Sequence, residues 1–512
     1  MNATELQETV FAHLMNPDTH GGLRVERIDT HAASVFLAGE HAYKVKRAVQ
    51  YPYLDYSTLE KRKAACMKEL EINRKFAPDL YLKVIPITQE PGGKLALDGG
   101  GEPIEWAVVM TRFDERKTLD RLAESASITE ELAEQLGRRV AKLHAEAPTF
   151  PFDAWLKFLP EIIADNDVAL RRRTELFATA DVDFLRDQSN SALNRIAPLL
   201  ESRGRSGFIR QGHGDLHLGN IALIDDQPIA FDAIEFDPLI AAGDVLYDLA
   251  FLLMDLIDRG LPAIANIVLN RYLVATRRDE NLDGMAALPL FLSLRAAIRA
   301  KVALARLART TANDRSATVD QARIYFDLAC EFLSPAKPRL LAVGGLSGTG
   351  KSALARAIAP KIMPAPGAIV IRSDIERKIM LGAPEDKPLP PEAYAPSVSV
   401  QVYEILGRKA ERVISAGHSA IVDAVFASLE ERRAIRAIAD DCGVEFVGLF
   451  LEADLGTRLD RVMARVNDAS DADAAIAARQ QEIEIGPLDW QRIDAAHDKN
   501  DTVNQALRAI ET

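Results

Sequence analysis

Two short segments carry residue types that phosphoryl transfer requires at fixed spacing. In HGDLHLGN, His213, Asp215 and Asn220 stand in the pattern H-x-D-x-x-x-x-N. Transfer of a phosphoryl group needs a carboxylate to orient and deprotonate an acceptor hydroxyl, and a nearby oxygen donor for Mg2+, both on a rigid loop. Asp215 and Asn220 supply those groups. Asp232, twelve residues past Asn220, ends the apolar run PIAF and is placed as the second metal-binding acid. His213 and His217 read as residues that buttress the loop, a metal-ligand or general-base role being the other reading of His217.

The second segment is GLSGTGKS, in which Gly345, Ser347, Gly348, Thr349, Gly350, Lys351 and Ser352 complete a G-x-x-x-x-G-K-S motif between an apolar run and a helix. Glycines let the backbone curl so that its N–H groups face phosphate oxygens, Lys351 would reach the β- and γ-phosphates, and Ser352 would ligate Mg2+. Asp423 ends the strand-like SAIVD and suits support of the same ion. Asp374 follows AIVIR and is placed to accept a hydroxyl proton, the alternative being a helix N-cap. Arg458, Arg461 and Arg465 recur at helical spacing, either as a lid over the transferring phosphate, with Arg465 preferred, or as a solvated basic face.

A nucleotide site built around Asp215 also needs a strand lysine paired with a helix glutamate. AYKVKR offers Lys44 and Lys46, which share a strand face because they are two apart. The helical segment STLEKRKAACMKELEINRKF, with Ser57 and Glu60 as a capping box, offers Glu69. Lys44 with Glu69 is the preferred pair and Lys46 the alternative. The segment Trp106–Phe113 would join two lobes and offer backbone groups to adenine, while DTHAASVFLAGEH contains no G-x-G-x-x-G.

These residues need a scaffold, and the chain spells one out. Short alternating runs from Val25 to Val49, then YLKVIPIT and IEWAVVMTRF, predict a strand-rich part of about 110 residues. Long helical segments follow Leu119 and reach the low 330s. After SPAKPR the strand-like LLAVGG, AIVIRS, SAIVDAVF and VEFVGLFLEA alternate with helices, which predicts a parallel sheet, with helices from there to the end. The expected organisation is residues 1–333 as one bilobal α+β domain, with lobes at about 20–115 and 116–333, a linker at 334–339, and an α/β domain at 340–512.

Composition removes other classes. With 512 residues, 48% hydrophobic and 27% charged, the chain is neither disordered nor fibrous. A net charge of -13 argues against loose binding to nucleic acid or anionic lipid. Cys66, Cys330 and Cys442 stand in no metal or disulfide pattern, the N-terminus lacks a signal peptide's basic start, and the most apolar stretch, from Val245, carries two Asp residues. A cytoplasmic protein is expected, without membrane attachment.

GLSGTGKS, RSDIERK, AIVDA and the arginine-rich segment resemble the P-loop small-molecule kinases, the group of gluconate kinase, chloramphenicol phosphotransferase and the zeta-toxin type enzymes. The resemblance implies ATP as donor and Asp374 as general base. HGDLHLGN, FDAIEFD and GDVLYDLA resemble the aminoglycoside phosphotransferase and choline kinase branch of the protein-kinase-like fold, in which the positions of Asp244 and Asp248 brace the catalytic loop. The whole is similar to a bacterial family of two-kinase fusions, which implies a protein-kinase-like bilobal domain followed by a P-loop domain. The resulting expectation is a kinase with two MgATP sites and small hydroxylated acceptors. One active half gated by the other, and an aminoglycoside-inactivating kinase, are the competing readings.

Overall fold

In the structure, a computed structural model that describes residues 3–51, 54–307, 314–464 and 470–511, the alternating runs form an antiparallel sheet. Its strands lie in the order Val25–Asp29, Ala33–Ala38, His41–Lys46, Glu102–Thr111, Tyr81–Gln89, Leu95–Leu97. Neighbouring side chains on a strand point to opposite faces, so one sheet can bury two apolar sets. Phe36, Val45, Ile85 and Val109 pack on Val10, Phe11 and Leu14 of the helix Ala3–Met15. Leu37, Ala42, Val108 and Met110 pack on Cys66 and Leu70 of the helix Leu59–Phe76. Each Val, Leu, Ile, Phe or Met among them, fully buried, contributes about 1.5–3 kcal/mol.

Two local readings are corrected. The helix that bears Glu69 is capped by Thr58, whose side chain accepts from the Lys61 N–H, while the Ser57 hydroxyl bonds Asp55 instead. The helix Ala3–Met15 is an element that the sequence reading passed over. It is also wired to the sheet: Gln7 Nε2 donates to the Lys46 carbonyl at 2.7 Å and to Glu105 at 2.9 Å, and its Oε1 accepts from Ala48 N–H at 2.8 Å.

This sheet belongs to a compact unit made of Met1–Gln135, Leu143–Phe158 and Gly204–Leu252. In it the strand Ile209–Gln211 pairs with Ala242–Asp244, and the hairpin Ile221–Ile224 with Gln227–Ala230 carries the chain from Asn220 to Asp232.

The other unit comprises Leu136–Lys142, Leu159–Arg203 and Leu253–Thr512. Its helices Leu288–Arg306 and Arg315–Phe332 are tied by the Ser293 hydroxyl to the Ala329 carbonyl at 2.8 Å. A five-stranded parallel sheet follows, ordered Ile369–Arg372, Ala420–Asp423, Arg339–Gly345, Glu445–Glu452, Gln491–Asp494. The last strand corrects the expectation of helices to the end. Only Ile493 of its four residues is buried, too little for a period-two signal. Leu341, Val343, Ile421 and Leu449 form its core with Leu354, Ile358 and Ile510.

The three cysteines are free thiols, and burial pushes Cys66 and Cys330 up to about 12, which leaves them unreactive. Among the described residues no helix is long and apolar enough to cross a membrane.

His418, two residues before the strand Ala420–Asp423, is buried with its Nε2 on the Gly367 carbonyl at 3.0 Å, and burial pulls its pKa from 6.5 down to about 4. The folded state thus holds the neutral ring. Its contribution to stability is complete above pH 6.5 and is lost as pH falls towards 4, by about 3 kcal/mol at ~1.36 kcal/mol per pH unit. Denaturant unfolding across that range is expected to show this loss in the wild type, and His418→Asn to lack it.

Candidate active sites

The first site is built where the sheet meets the HGDLHLGN loop. Its tip is held from below by the Asp248 carboxylate, which accepts the His213 and Gly214 N–H groups at 2.9 Å each and meets His144 Nε2 at 3.2 Å. Gly214 has φ +80°, and a side chain there would come within 2.8 Å of Ala241 Cα, so the loop can sit this close only as glycine. Asp244 accepts the Leu246 N–H at 2.9 Å.

Asn220 Nδ2 donates to both the carbonyl and the carboxylate of Asp215, each at 3.0 Å. His217 Nδ1 accepts from the Gly219 N–H at 3.1 Å, which leaves the ring proton on Nε2, 3.5 Å from Asp215. His213 Nε2 lies 2.9 Å from the Phe231 carbonyl, and burial lowers its pKa, so the ring is neutral and structural.

Lys44 and Lys46 share Glu69, with Nζ to carboxylate distances of 2.7 Å each. Lys44 also reaches Asp232 at 2.5 Å, and Lys46 pairs with Glu235. Burial opposes the charge on Glu69, and the two ammonium groups outweigh it, holding its carboxyl below the ordinary range. Burial likewise opposes ionisation of Asp232, and Lys44 overcomes it. Asp232 has φ +61°, a left-handed conformation that Asp tolerates and that recurs at ligand sites.

Three residues of this site escaped the sequence reading. Tyr81 Oη accepts the Asp232 N–H at 3.1 Å, Asn73 Oδ1 accepts the Ala233 N–H at 2.8 Å, and Glu235 anchors Lys46. Asn73 had a readable signal, since it lies four residues from Glu69 on one helix face. In the expected hinge, the Thr111 and Arg112 N–H groups are already engaged by the Leu80 and Glu40 carbonyls.

The second site is a cavity of about 990 Å³ at the C-terminal ends of the parallel strands, lined by Ser347 to Ser352 with Asp374, Asp423 and Arg461. Gly348 and Gly350 take φ +88° and +94°, which turns the loop around its centre. Lys351 Nζ donates to the Leu346 carbonyl at 3.2 Å. The Ser352 hydroxyl donates to Asp423 at 2.5 Å and accepts from Arg372 at 3.2 Å.

The three arginines do not act alike. Arg458 is buried, donating to the Ser347 carbonyl at 2.9 Å and the Ala477 carbonyl at 2.8 Å, so it braces the loop from behind and cannot be a lid. Its own carbonyl would be 2.4 Å from a side chain at Gly348. Arg461 reaches the Thr349 carbonyl at 3.4 Å. Arg465 lies outside the described residues.

Asp374 is the second residue of the helix Ser373–Met380, whose cap position is Arg372 without a side-chain cap bond, so the N-cap alternative falls. Burial raises its pKa, Asp423 adds to the rise, and Arg372 and Lys351 oppose it. Arg377, one turn on, was not anticipated. It is buried, lines the cavity, donates to the Ala393 carbonyl at 2.7 Å, and among the described residues has no carboxylate partner.

No three His, Cys, Asp or Glu side chains among the described residues form a metal cage. Ser352 and Asp423, whose side-chain oxygens meet, fit Mg2+, which takes few protein ligands and fills its octahedron with phosphate oxygens and water, and Asn220 and Asp232 offer the same oxygen chemistry in the first site.

The chain matches the phosphotransferase enzyme family over residues 57–288 and an AAA domain over residues 340–483. Uncharacterized proteins of Mycobacterium tuberculosis strain H37Rv and of Mycobacterium bovis are each 30% identical to it over 495 residues, covering 93% of this chain and 94% of theirs. A gluconokinase from Sinorhizobium meliloti is 21% identical, with 34% of this chain and 92% of that chain covered and a TM-score of 0.25. A choline/ethanolamine kinase family protein from Mesorhizobium loti is 13% identical, with 64% and 98% covered and a TM-score of 0.39. Both halves of the resemblance drawn from the sequence are matched, in the same order.

Proposed function

Because this chain belongs to the family of its mycobacterial relatives, and itself matches the phosphotransferase enzyme family ahead of an AAA domain, we propose that it carries two ATP-dependent kinase sites, each acting on a hydroxyl of a small metabolite. It is a kinase-type enzyme; the two-site arrangement, the acceptors and the residue roles are our reading. The observation that carries the reading is that Asp215 accepts from Asn220 at 3.0 Å on the HGDLHLGN loop, and that Asp374 lines the same cavity as Lys351 and Ser352. We assign residues 1–333 and 340–512 to the two halves and 334–339 to the link.

In the N-terminal half, Lys44 held by Glu69 binds the α- and β-phosphates, and Asn220 and Asp232 hold Mg2+. Asp215 orients the acceptor hydroxyl and takes its proton as the acceptor oxygen bonds to the γ-phosphorus and the bond to the β,γ-bridging oxygen breaks, releasing ADP. When bound, Mg2+ neutralises charge on the phosphate oxygens. In the P-loop half, the backbone of Gly345 to Gly350 and Lys351 hold the phosphates, Ser352 and Asp423 hold the ion, Arg461 attends the loop, and Asp374 takes the proton. Arg377 supports an acceptor there that bears an anionic group, since a buried guanidinium gains most from a fixed anion.

The test is transfer of labelled γ-phosphate from ATP into a metabolite extract by wild type, Asp215→Asn and Lys351→Ala. Products that vanish separately support two sites; loss of every product in one variant alone leaves the other half as a sensor, and no product from wild type overturns the reading.

The raised Asp374 pKa sets a sign for pH. Asp374 must be ionised to accept a proton, so the rate of the P-loop half is expected to fall on acidification at a pH above the ordinary carboxylate value of 3.8. A rate profile taken in the Asp215→Asn background checks this; a limb at or below that value removes Asp374 as the base.

A further inference from the structure

Among the described residues, the strand Ile369–Arg372 is the edge of the parallel sheet and pairs with one neighbour. An edge strand leaves alternate N–H and C=O groups open on its free side. Here they are closed by the helix Pro262–Thr276. Asn270 Oδ1 accepts from the Val370 N–H at 2.7 Å, and its Nδ2 donates to the Ala368 carbonyl at 3.2 Å. Asn266 Nδ2 adds a second bond to Ala368 at 3.1 Å.

One carboxamide thus accepts from residue 370 and donates to residue 368, which is how the N–H and C=O of one residue on a neighbouring parallel strand would pair. We infer that Asn270 substitutes for a sixth strand and is a positioning residue for the P-loop site. Both asparagines lie within residues 57–288, the part matched to the phosphotransferase family, yet their partners lie in the P-loop half. The clamped strand ends at Arg372, which bonds Ser352, and hands directly over to the helix that presents Asp374 to the cavity. The same helix is pinned farther on: Lys409 joins Glu376 at 2.8 Å to Asp279 at 3.0 Å. The segment bearing Asp374 is therefore fixed at the strand before it and on the helix after it. The strand's anchor lies about a hundred residues back in the chain.

The positioning role rests on the reading of Asp374 as the proton acceptor, and the experiment separates the two. Full-length Asn270→Leu, which keeps size and loses both bonds, and Asn270→Asp, which keeps only the Val370 bond, are compared with wild type. Hydrogen exchange over residues 368–372 is measured together with MgATP turnover in the Asp215→Asn background. In the leucine variant the Val370 amide is expected to exchange at least about tenfold faster, and kcat to fall about tenfold or more with the KM for MgATP held within about twofold. The aspartate variant should fall between. Unchanged exchange at Val370 overturns the clamp, and faster exchange with wild-type kcat overturns positioning. If Lys351→Ala leaves turnover intact, the functional reading fails, and exchange alone still decides whether Asn270 completes the sheet.

Discussion

Asp215→Asn is expected to lower phosphoryl transfer by the N-terminal half about 10²- to 10⁴-fold while the KM for MgATP changes less than about threefold. The substitution keeps the shape of the side chain, and the loop does not depend on its charge. Asp248 holds the loop through backbone N–H groups, and the Asn220 amide can still bond the carbonyl of residue 215. An amide cannot accept the acceptor's proton, so the loss belongs in kcat. Initial rates at saturating acceptor in a Lys351→Ala background measure it. A change confined to KM would reassign Asp215 to binding, and wild-type kcat would remove it from the reaction.

Lys351→Ala is expected to cost the P-loop half about 10²- to 10³-fold in rate or more, the scale seen when one preorganised hydrogen-bond donor is withdrawn from a developing anion. The ammonium lies in the cavity with a bond to the Leu346 carbonyl at 3.2 Å, and the loop's shape is set elsewhere, by Arg458 from behind and by its glycines. Folding should survive the change. Measured in the Asp215→Asn background, turnover should nearly vanish with an unchanged melting temperature. Retained turnover would assign the activity to neither Lys351 nor its loop.

What could be read from the sequence was local. The catalytic loop, the glycine-rich motif and the alternating strands each declare themselves within a dozen residues, because spacing and periodicity act at that range. What could not be read depends on partners distant in the chain. Lys44 against Lys46 has no answer in a strand pattern, since both meet one glutamate. Arg458 looks like any basic helix residue until the Ser347 carbonyl is found above it. The helix Ala3–Met15 acquires its purpose only from the sheet it covers, and Asn270 from a strand about a hundred residues later. Polar residues with buried, nonlocal partners carry no signature of their own.

The cluster of Lys44, Lys46, Glu69, Asp232 and Glu235 also constrains the protein's history. Two cations and three carboxylates share contacts within it, so the loss of either lysine leaves the fully buried Glu69 short of one of its two countercharges. Breaking one partner of a buried set is far costlier than replacing partners together. A lineage drifting by single substitutions meets a barrier at every member, and compensated double changes offer the easier path. Lys46 and Glu235, 189 residues apart, must then vary as a couple or not at all.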